Sequence, residues 1–315
     1  MKDGVSVIVC CYNSAWIIER CLGALIKQVL PDDFGWEVIV VDNKCTDNTV
    51  DVVRKFKEVY ELPLVLVEEP LPGLLNARIK GINSANYAIS IYCDDDNLLC
   101  PDYVYGMYKI MHSDGSIGCA GGMGIPEYMI EPHSDILRFS QAYALGSQRI
   151  GSLLFGAGLC VRTDIVRKIY KIQKFYLTGR CGEMLLAGDD GELVASILIR
   201  GYRKQATDNL TYVHVLPPKR LTWEYLEGLF KGFALVHPLP CAMECAINGH
   251  PPYYMLLLYF KRIWIVLTKI PFFRNRRQKL IIDYNINIIR ACHFWGFKKI
   301  LSIYNEYIKY KNEEF

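Results

Sequence analysis

The sequence predicts an α/β protein built on a mostly parallel sheet, and three observations carry that prediction. Short β-branched runs alternate with stretches whose apolar residues recur at helical spacing. The runs are apolar throughout, which marks strands covered on both faces. Polar and acidic residues stand directly after several of them, at the strand ends where open α/β sheets bind ligands.

The elements follow in order. Val5-Ser-Val-Ile-Val9 is the first strand and leads into Cys10-Cys-Tyr-Asn13. Residues 14–30 place Ile17, Ile18, Cys21, Leu22, Leu25, Ile26 and Val29 at helical spacing. Glu37-Val-Ile-Val-Val41 is the second strand and ends in Asp42. Val50, Val53, Phe56 and Val59 mark a second helix, and Leu64-Val-Leu-Val67 a third strand. Tyr87-Ala-Ile-Ser-Ile-Tyr92 is another apolar run, closed by Cys93-Asp-Asp-Asp-Asn97. Asn13, Asp42 and Asp94 to Asp96 therefore share one rim of the sheet. The Gly-rich dinucleotide fingerprint is missing from the first turn, so a nucleotide fits there and NAD does not.

Three adjacent carboxylates repel one another and raise each other's pKa. A solvated acidic turn is the plain account of such a triplet. A hard cation such as Mg²⁺ or Mn²⁺ removes the penalty by taking oxygen ligands. Further along, Asp189-Asp190 precedes Glu192 to Arg200, a helical pattern, which sets the pair at a helix start where negative charge is favoured. Capping alone accounts for two acids there.

Five segments together resemble the family 2 glycosyltransferases of the GT-A fold. They are Val5 to Asn13, Val40 to Thr49, Gly73-Leu-Leu-Asn-Ala-Arg-Ile-Lys-Gly81, Asp94 to Asn97 with Pro101 following, and Gly188-Asp-Asp-Gly-Glu-Leu193. They occur in the family's order over roughly two-thirds of the chain. The resemblance implies that Cys11, Tyr12, Asn13 and Asp42 hold the nucleoside, with Arg78, Asp94 and Asp95 also near the nucleotide. It implies an Asp-x-Asp pair, Asp94 and Asp96, around Mn²⁺ or Mg²⁺, and Asp190 as the base. Three positions depart from the family pattern: Asp189 stands for the usual Glu, Ile79 for a common Asn, and Lys44 for a small residue.

The implied chemistry is consistent with these groups. A divalent ion stabilises a leaving nucleoside diphosphate, and one carboxylate opposite it takes the acceptor hydroxyl's proton, inverting the anomeric centre. His214 is either a hydrogen-bonded core residue or a third metal ligand. Asp189, Glu192 and Arg220 are expected on the diphosphate or acceptor side, Arg220 because a guanidinium fork suits phosphate.

The chain has 315 residues, 51% of them hydrophobic, so one large core or two smaller ones can be buried. Its twelve cysteines include no Cys-x-x-Cys pair and are expected reduced and buried, as in a cytoplasmic protein. Met1-Lys-Asp-Gly enters the first strand at once, so no signal peptide is expected. Charge is uneven: residues 251–315 hold twelve Lys/Arg and four Asp/Glu, a net of +8 against +3 for the whole chain. Tyr253 to Ile270 lacks the ~18-residue uncharged run of a spanning helix. Lys261, Arg262, Lys269 and Arg276, set among Trp264, Ile265 and Leu267, are expected on one side of a helix lying on an anionic membrane surface. A packed amphipathic helix is the alternative. No nucleic-acid motif appears, and a nucleic-acid partner is not expected.

The expectation is a GT-A catalytic domain over 1–220 and a helical region over 221–315. It transfers a sugar from a nucleotide-sugar donor, a UDP-sugar, to a glycan or lipid-linked acceptor. The setting is the inner face of a bacterial membrane, in surface polysaccharide synthesis. A transfer-inactive nucleotide-sugar-binding subunit and a nucleotidyltransferase are the alternatives; the basic Gly-rich first loop of the latter is missing.

Overall fold

In the computed structural model of the chain, the residues described are 1–151, 153–179, 188–270, 274–313 and 315. The first half alternates strands and helices. β1 (Lys2–Cys11), α1 (Ile18–Ile26), β2 (Trp36–Asp42), α2 (Thr49–Val59), β3 (Leu64–Glu68), α3 (Leu74–Ser84) and β4 (Tyr87–Asp94) follow one another. Then come β5 (Asn97–Leu99), α4 (Tyr103–Ser113), β6 (Ile117–Tyr128), the short α5 (Ser134–Leu137), β7 (Leu159–Arg162), α6 (Thr163–Ile172), α7 (Asp189–Ile199) and β8 (Arg203–Leu216). From Trp223 onward the described elements are helices: α8 (Trp223–Val236), α9 (Pro238–Ile247), α10 (Tyr253–Lys269), α11 (Arg276–Trp295) and α12 (Phe297–Asn312).

The strands form one sheet in the order β3-β2-β1-β4-β7-β6-β8-β5. β1, β2, β3 and β4 pair in parallel, as the apolar runs predict. The far half is mixed: β7 is antiparallel to both β4 and β6, and β5 is antiparallel to β8. Both faces are covered. Val5, Val7 and Val9 of β1 pack with Val38 and Val40 of β2 under α1, α2 and α4. Ile8, Ile39 and Val41 point the other way, onto Ala77 and Ile82 of α3, in a cluster that also holds Ile165 of α6 and Leu193 of α7. That alternation is the period-2 geometry of a strand buried on both sides. Gly81 lets α3 lie against the sheet, because a Cβ there would stand 2.3 Å from Ile8 Cγ2.

The C-terminal helices pack on the sheet domain through α7. Ala195 and Ile199 meet Leu239, Ala242 and Met243 of α9 and Ile300, Ile303 and Tyr307 of α12. The Tyr307 hydroxyl lies 3.1 Å from Ser196 Oγ and accepts from Gln173 Nε2 at 3.0 Å.

α10 departs from the basic stripe that its sequence led us to expect. Arg262 turns inward, donating to Asn285 Oδ1 and His237 Nε2, each at 3.2 Å. Arg276 sits on α11, held by Glu224 and Glu227. What α10 presents outward is apolar: Tyr253, Leu256, Leu257, Phe260, Trp264 and Leu267 are exposed, Trp264 at 65% and Leu267 at 68%. Steps of three and four residues put them within an arc of roughly 100°. No helix among the described residues is long and apolar enough to cross a membrane.

Ile303, fully buried where α12 meets α7 and α9, tests this packing. Ile303→Ala should cost about 2–4 kcal/mol in urea unfolding. Helical and sheet signals should still be lost together; two separate transitions would mean that the helical region folds apart from the sheet.

Candidate active site

A cleft of about 1090 Å³ opens at the carboxyl ends of β1, β2 and β4. Strand register builds it. Cys11 pairs with Asp42 and Cys10 with Asp94, so three chain reversals lie side by side. Asn13 makes its turn at φ 55°, a left-handed conformation that Asn tolerates better than most residues. Its Oδ1 accepts from Thr46 N at 2.8 Å, tying the first turn to the second. Cys11, Tyr12 and Asn13 all line the cleft, with Tyr12 half exposed.

The carboxylates of the triplet have separate surroundings. Asp94 lies 3.9 Å from Arg78 Nη2. Asp95 accepts from Ser14 Oγ. Burial, reinforced by the neighbouring Asp96 charge, pushes the Asp95 pKa up to about 7. Asp96 is buried, with Oδ2 2.7 Å from Arg220 Nη1 and Oδ1 accepting from Asn97 Nδ2 at 3.0 Å. Burial works against the Arg220 charge, but Asp96 outweighs it and raises the Arg220 pKa.

His214 faces the same carboxylate. Its Nδ1 is 2.7 Å from the Tyr143 carbonyl oxygen, and its Nε2 is 3.1 Å from Arg220 Nη1. A guanidinium only donates, so Nε2 is the acceptor and Nδ1 carries the proton. Nε2 lies 3.5 Å from Asp96 Oδ1. A ring anchored through Nδ1 on a backbone carbonyl is the usual posture of a metal-binding imidazole. Asp96 and His214 therefore fit a divalent ion, with Asp94 on the same turn. Among the described residues no three His, Cys, Asp or Glu side chains already converge as a metal site. The Arg220 guanidinium supplies the positive charge at Asp96.

Across the cleft, α7 begins with Asp189 and Asp190. Asp189 is buried and accepts from Arg78 Nη1. Burial pushes the Asp189 carboxyl up, and the Arg78 guanidinium against it pulls the other way. Asp190 lines the cleft and is held by two backbone amides, Gly156 N at 2.7 Å to Oδ2 and Gly191 N at 2.8 Å to Oδ1. A Cβ on Gly156 would stand 2.4 Å from Arg78 Nη2 and 3.0 Å from Asp190 Oδ2, so glycine is required for the approach.

The cleft thus gathers Cys11, Tyr12, Asn13, Arg78, Asp94, Asp95, Asp96, Asp189, Asp190, His214 and Arg220. Two expected residues stand apart from it. Asp42 accepts from Cys45 N at 2.8 Å and braces its own turn. Glu192, expected on the acceptor side, is fully buried one turn into α7, where it accepts from Tyr176 N at 3.0 Å and Leu177 N at 2.8 Å. Two residues after Asp190, roughly 200° round the helix, it faces the helix packing rather than the cleft. Arg220, expected at a diphosphate, is engaged by Asp96.

Sequence reasoning passed over Asn43 and Trp16, both of which line the cleft. Asn43 is the more telling, since it donates to the Glu69 and Leu71 carbonyls and accepts from Gly73 N, fastening the β2 turn to the start of α3. Its position directly after Asp42 was the available signal. The Tyr143 carbonyl that orients His214 left no signal, because a backbone oxygen has no residue type.

The chain is similar to known glycosyltransferases. The description "Glycosyl transferase family 2" matches residues 6–154. A cholesterol galactosyltransferase of Borreliella burgdorferi is 27% identical over 308 residues, covering 89% of this chain and 82% of that protein. The stretches matched in the first two curated relatives span only 24% and 30% of those proteins. Among solved structures, a mannosyltransferase from Pyrobaculum calidifontis in complex with GDP-Man and Mn²⁺ aligns with TM-score 0.56 at 19% identity, over 99% of this chain and 85% of that one. TarS residues 1 to 349 of S. aureus in complex with UDP align with TM-score 0.53 at 15% identity, over 98% and 90%. The fold is GT-A.

Glu192 offers a measurement independent of activity. Burial pushes its pKa up to about 8, above an ordinary value of 4.5. A carboxyl raised in the folded state contributes stability that is complete below the unfolded pKa and lost as pH rises through the folded one. Wild-type stability should therefore fall between about pH 4.5 and 8 by on the order of a few kcal/mol. Glu192→Gln should flatten that part of the profile in urea melts, and an unchanged slope would show that Glu192 is ionised throughout.

Proposed function

For this family 2 glycosyltransferase, built on a GT-A fold and acting in glycosyl transfer, we propose inverting transfer from a nucleotide-diphosphate sugar, a UDP-sugar, to a hydroxyl of a glycan or lipid-linked acceptor. The observation that carries this reading is Asp190: a cleft-lining carboxylate oriented by two backbone amides, facing an acidic turn across one cavity. Asp190 takes the acceptor hydroxyl's proton as the new bond forms opposite the leaving group. The amides of Gly156 and Gly191 leave it able to do so in one orientation only. Cys11, Tyr12 and Asn13 receive the nucleoside, and Arg78 stands between Asp94 and Asp189, where it steadies both sides of the cleft. Asp96, Asp94 and His214 would hold Mn²⁺ or Mg²⁺, which when bound supplies positive charge to the departing diphosphate. Arg220, beside the same carboxylate and lining the cleft, would meet a phosphate of the donor.

We place the enzyme on the inner face of a bacterial membrane, in surface polysaccharide synthesis. The support is the exposed apolar arc of α10 with Lys261 and Lys269 on the same helix and Arg274 and Arg277 following. Apolar residues on an otherwise solvated helix enter the headgroup region, and nearby cations favour anionic lipid.

Asp190→Asn tests the base. It should retain nucleotide-sugar binding with Mn²⁺, read by thermal shift, and lose transfer by about 10²–10⁴-fold. Unchanged turnover at saturating acceptor would remove Asp190 from the role. Donor binding with no release of nucleoside diphosphate in wild type, for any acceptor offered, would favour a binding subunit.

For the membrane, protein should co-sediment with anionic vesicles and less so as salt rises, since each cation near the surface contributes about 1 kcal/mol. Trp264→Ser with Leu267→Ser should release it, as should Lys261, Lys269, Arg274 and Arg277 changed to Gln. Binding that ignores lipid charge, salt and both sets of substitutions would overturn the assignment.

A further inference from the structure

A second cavity of about 280 Å³ lies among α9, α10, α11 and α12. Its walls are mainly apolar, with Met255, Leu258, Ile288, Cys292 and Ile300 prominent. His237, at the junction of α8 and α9, lines both this cavity and the catalytic cleft. Leu256 and Phe297, both exposed, connect the cavity to the outward apolar arc of α10.

The chemistry of the shared wall is unusual. Arg262 lines the small cavity, and its hydrogen-bond partners, Asn285 and His237, are both neutral. Burial and the Arg262 charge push the His237 pKa down to about 4, so the imidazole is neutral and accepts from the guanidinium. Among the described residues no carboxylate lies within ion-pair distance of Arg262, whereas Arg78, Arg203, Arg220 and Arg276 each have one. A half-buried guanidinium beside an apolar cavity and lacking an anion matches a ligand with a hydrocarbon chain and an anionic head.

We propose that this cavity takes one hydrocarbon chain of a lipid phosphate, with its phosphate on Arg262, and that this lipid is the acceptor side of the transfer reaction. The assignment rests on the glycosyl-transfer reading and narrows its acceptor to the glycosylated form of a single-chain lipid phosphate, whose sugar head carries the hydroxyl that Asp190 deprotonates. The cavity is at the small end of ligand sites and holds part of one chain. The remainder of the chain lies along Leu256, Leu257 and Phe260, and the head passes His237 into the cleft where Phe233, Val236 and Pro240 form the wall.

The test is titration calorimetry on the full chain with decyl phosphate, decanol, inorganic phosphate and dihexanoyl phosphatidylglycerol, each below its aggregation limit. Decyl phosphate should bind about tenfold or more tightly than decanol, and inorganic phosphate should not bind measurably. Arg262→Gln should remove that advantage and leave decanol binding unchanged. Cys292→Phe, which fills the cavity away from Arg262, should weaken decanol and decyl phosphate together, so the proposal stays testable if one variant fails to fold. Equal affinity for decanol and decyl phosphate would make the occupant a neutral lipid and overturn the proposal. Equal or tighter binding of the two-chain phospholipid would make the cavity a membrane anchor and overturn it as well. Nucleotide-sugar binding, followed in parallel, separates the outcomes: its absence in wild type would sink the transfer reading, and its survival in both variants with lost decyl phosphate binding supports the acceptor seat.

Discussion

One buried guanidinium, Arg78, holds the two acidic sides of the cleft together. It reaches from α3 to Asp189 at the start of α7, lies near Asp94 at the end of β4, and rests over the Tyr92 ring with its carbon 5.6 Å from the centroid. Burying these charges separately would cost several kcal/mol each; paired, they hold each other in place. Removal of the cation would leave a buried carboxylate unpaired beside two others. Gly156 packs against both this guanidinium and Asp190, where a Cβ would stand 2.4 Å from Arg78 Nη2 and 3.0 Å from Asp190 Oδ2.

The acidic turn is balanced in the same way from the opposite side. Arg220 reaches Asp96, and His214 presents an unprotonated nitrogen toward it. Asp95 accepts from Ser14 Oγ, and burial with the Asp96 charge raises its pKa to about 7. A divalent ion at this turn would compete with an arginine rather than enter a site of uncompensated negative charge.

The helical region has two different surfaces. Its inner side packs on α7 through Leu239, Ala242, Ile303 and Tyr307, continuous with the sheet's own core. Its outer side exposes aromatic and aliphatic residues of α10 and opens into a cavity that shares His237 with the cleft. The same helices thus brace the helix that carries Asp190 and face outward with hydrocarbon-like surface, so one wall separates the cleft from an apolar environment.

Apolar periodicity determined the parallel half of the sheet, because strands covered on both faces are apolar at most positions, as the buried stretches of β1, β2 and β4 are apart from Ser6, Glu37 and Ser90. Acids and Asn placed after those strands determined which rim holds the site, because register carries Cys10, Cys11, Asp42 and Asp94 to one edge. Tertiary structure alone decided the rest. The antiparallel strands β5 and β7 are three and four residues long, too short for a pattern to show direction. Asp42 and Glu192 carry the right charge near the right motifs, but backbone amides of Cys45, Tyr176 and Leu177 claim them. In α10, spacing marked a helix with apolar and basic residues; which face is covered depended on where α9 and α11 dock, and Arg262 turned inward while Trp264 stayed out. Periodicity reports that a face exists; only the partner surface decides which face is buried.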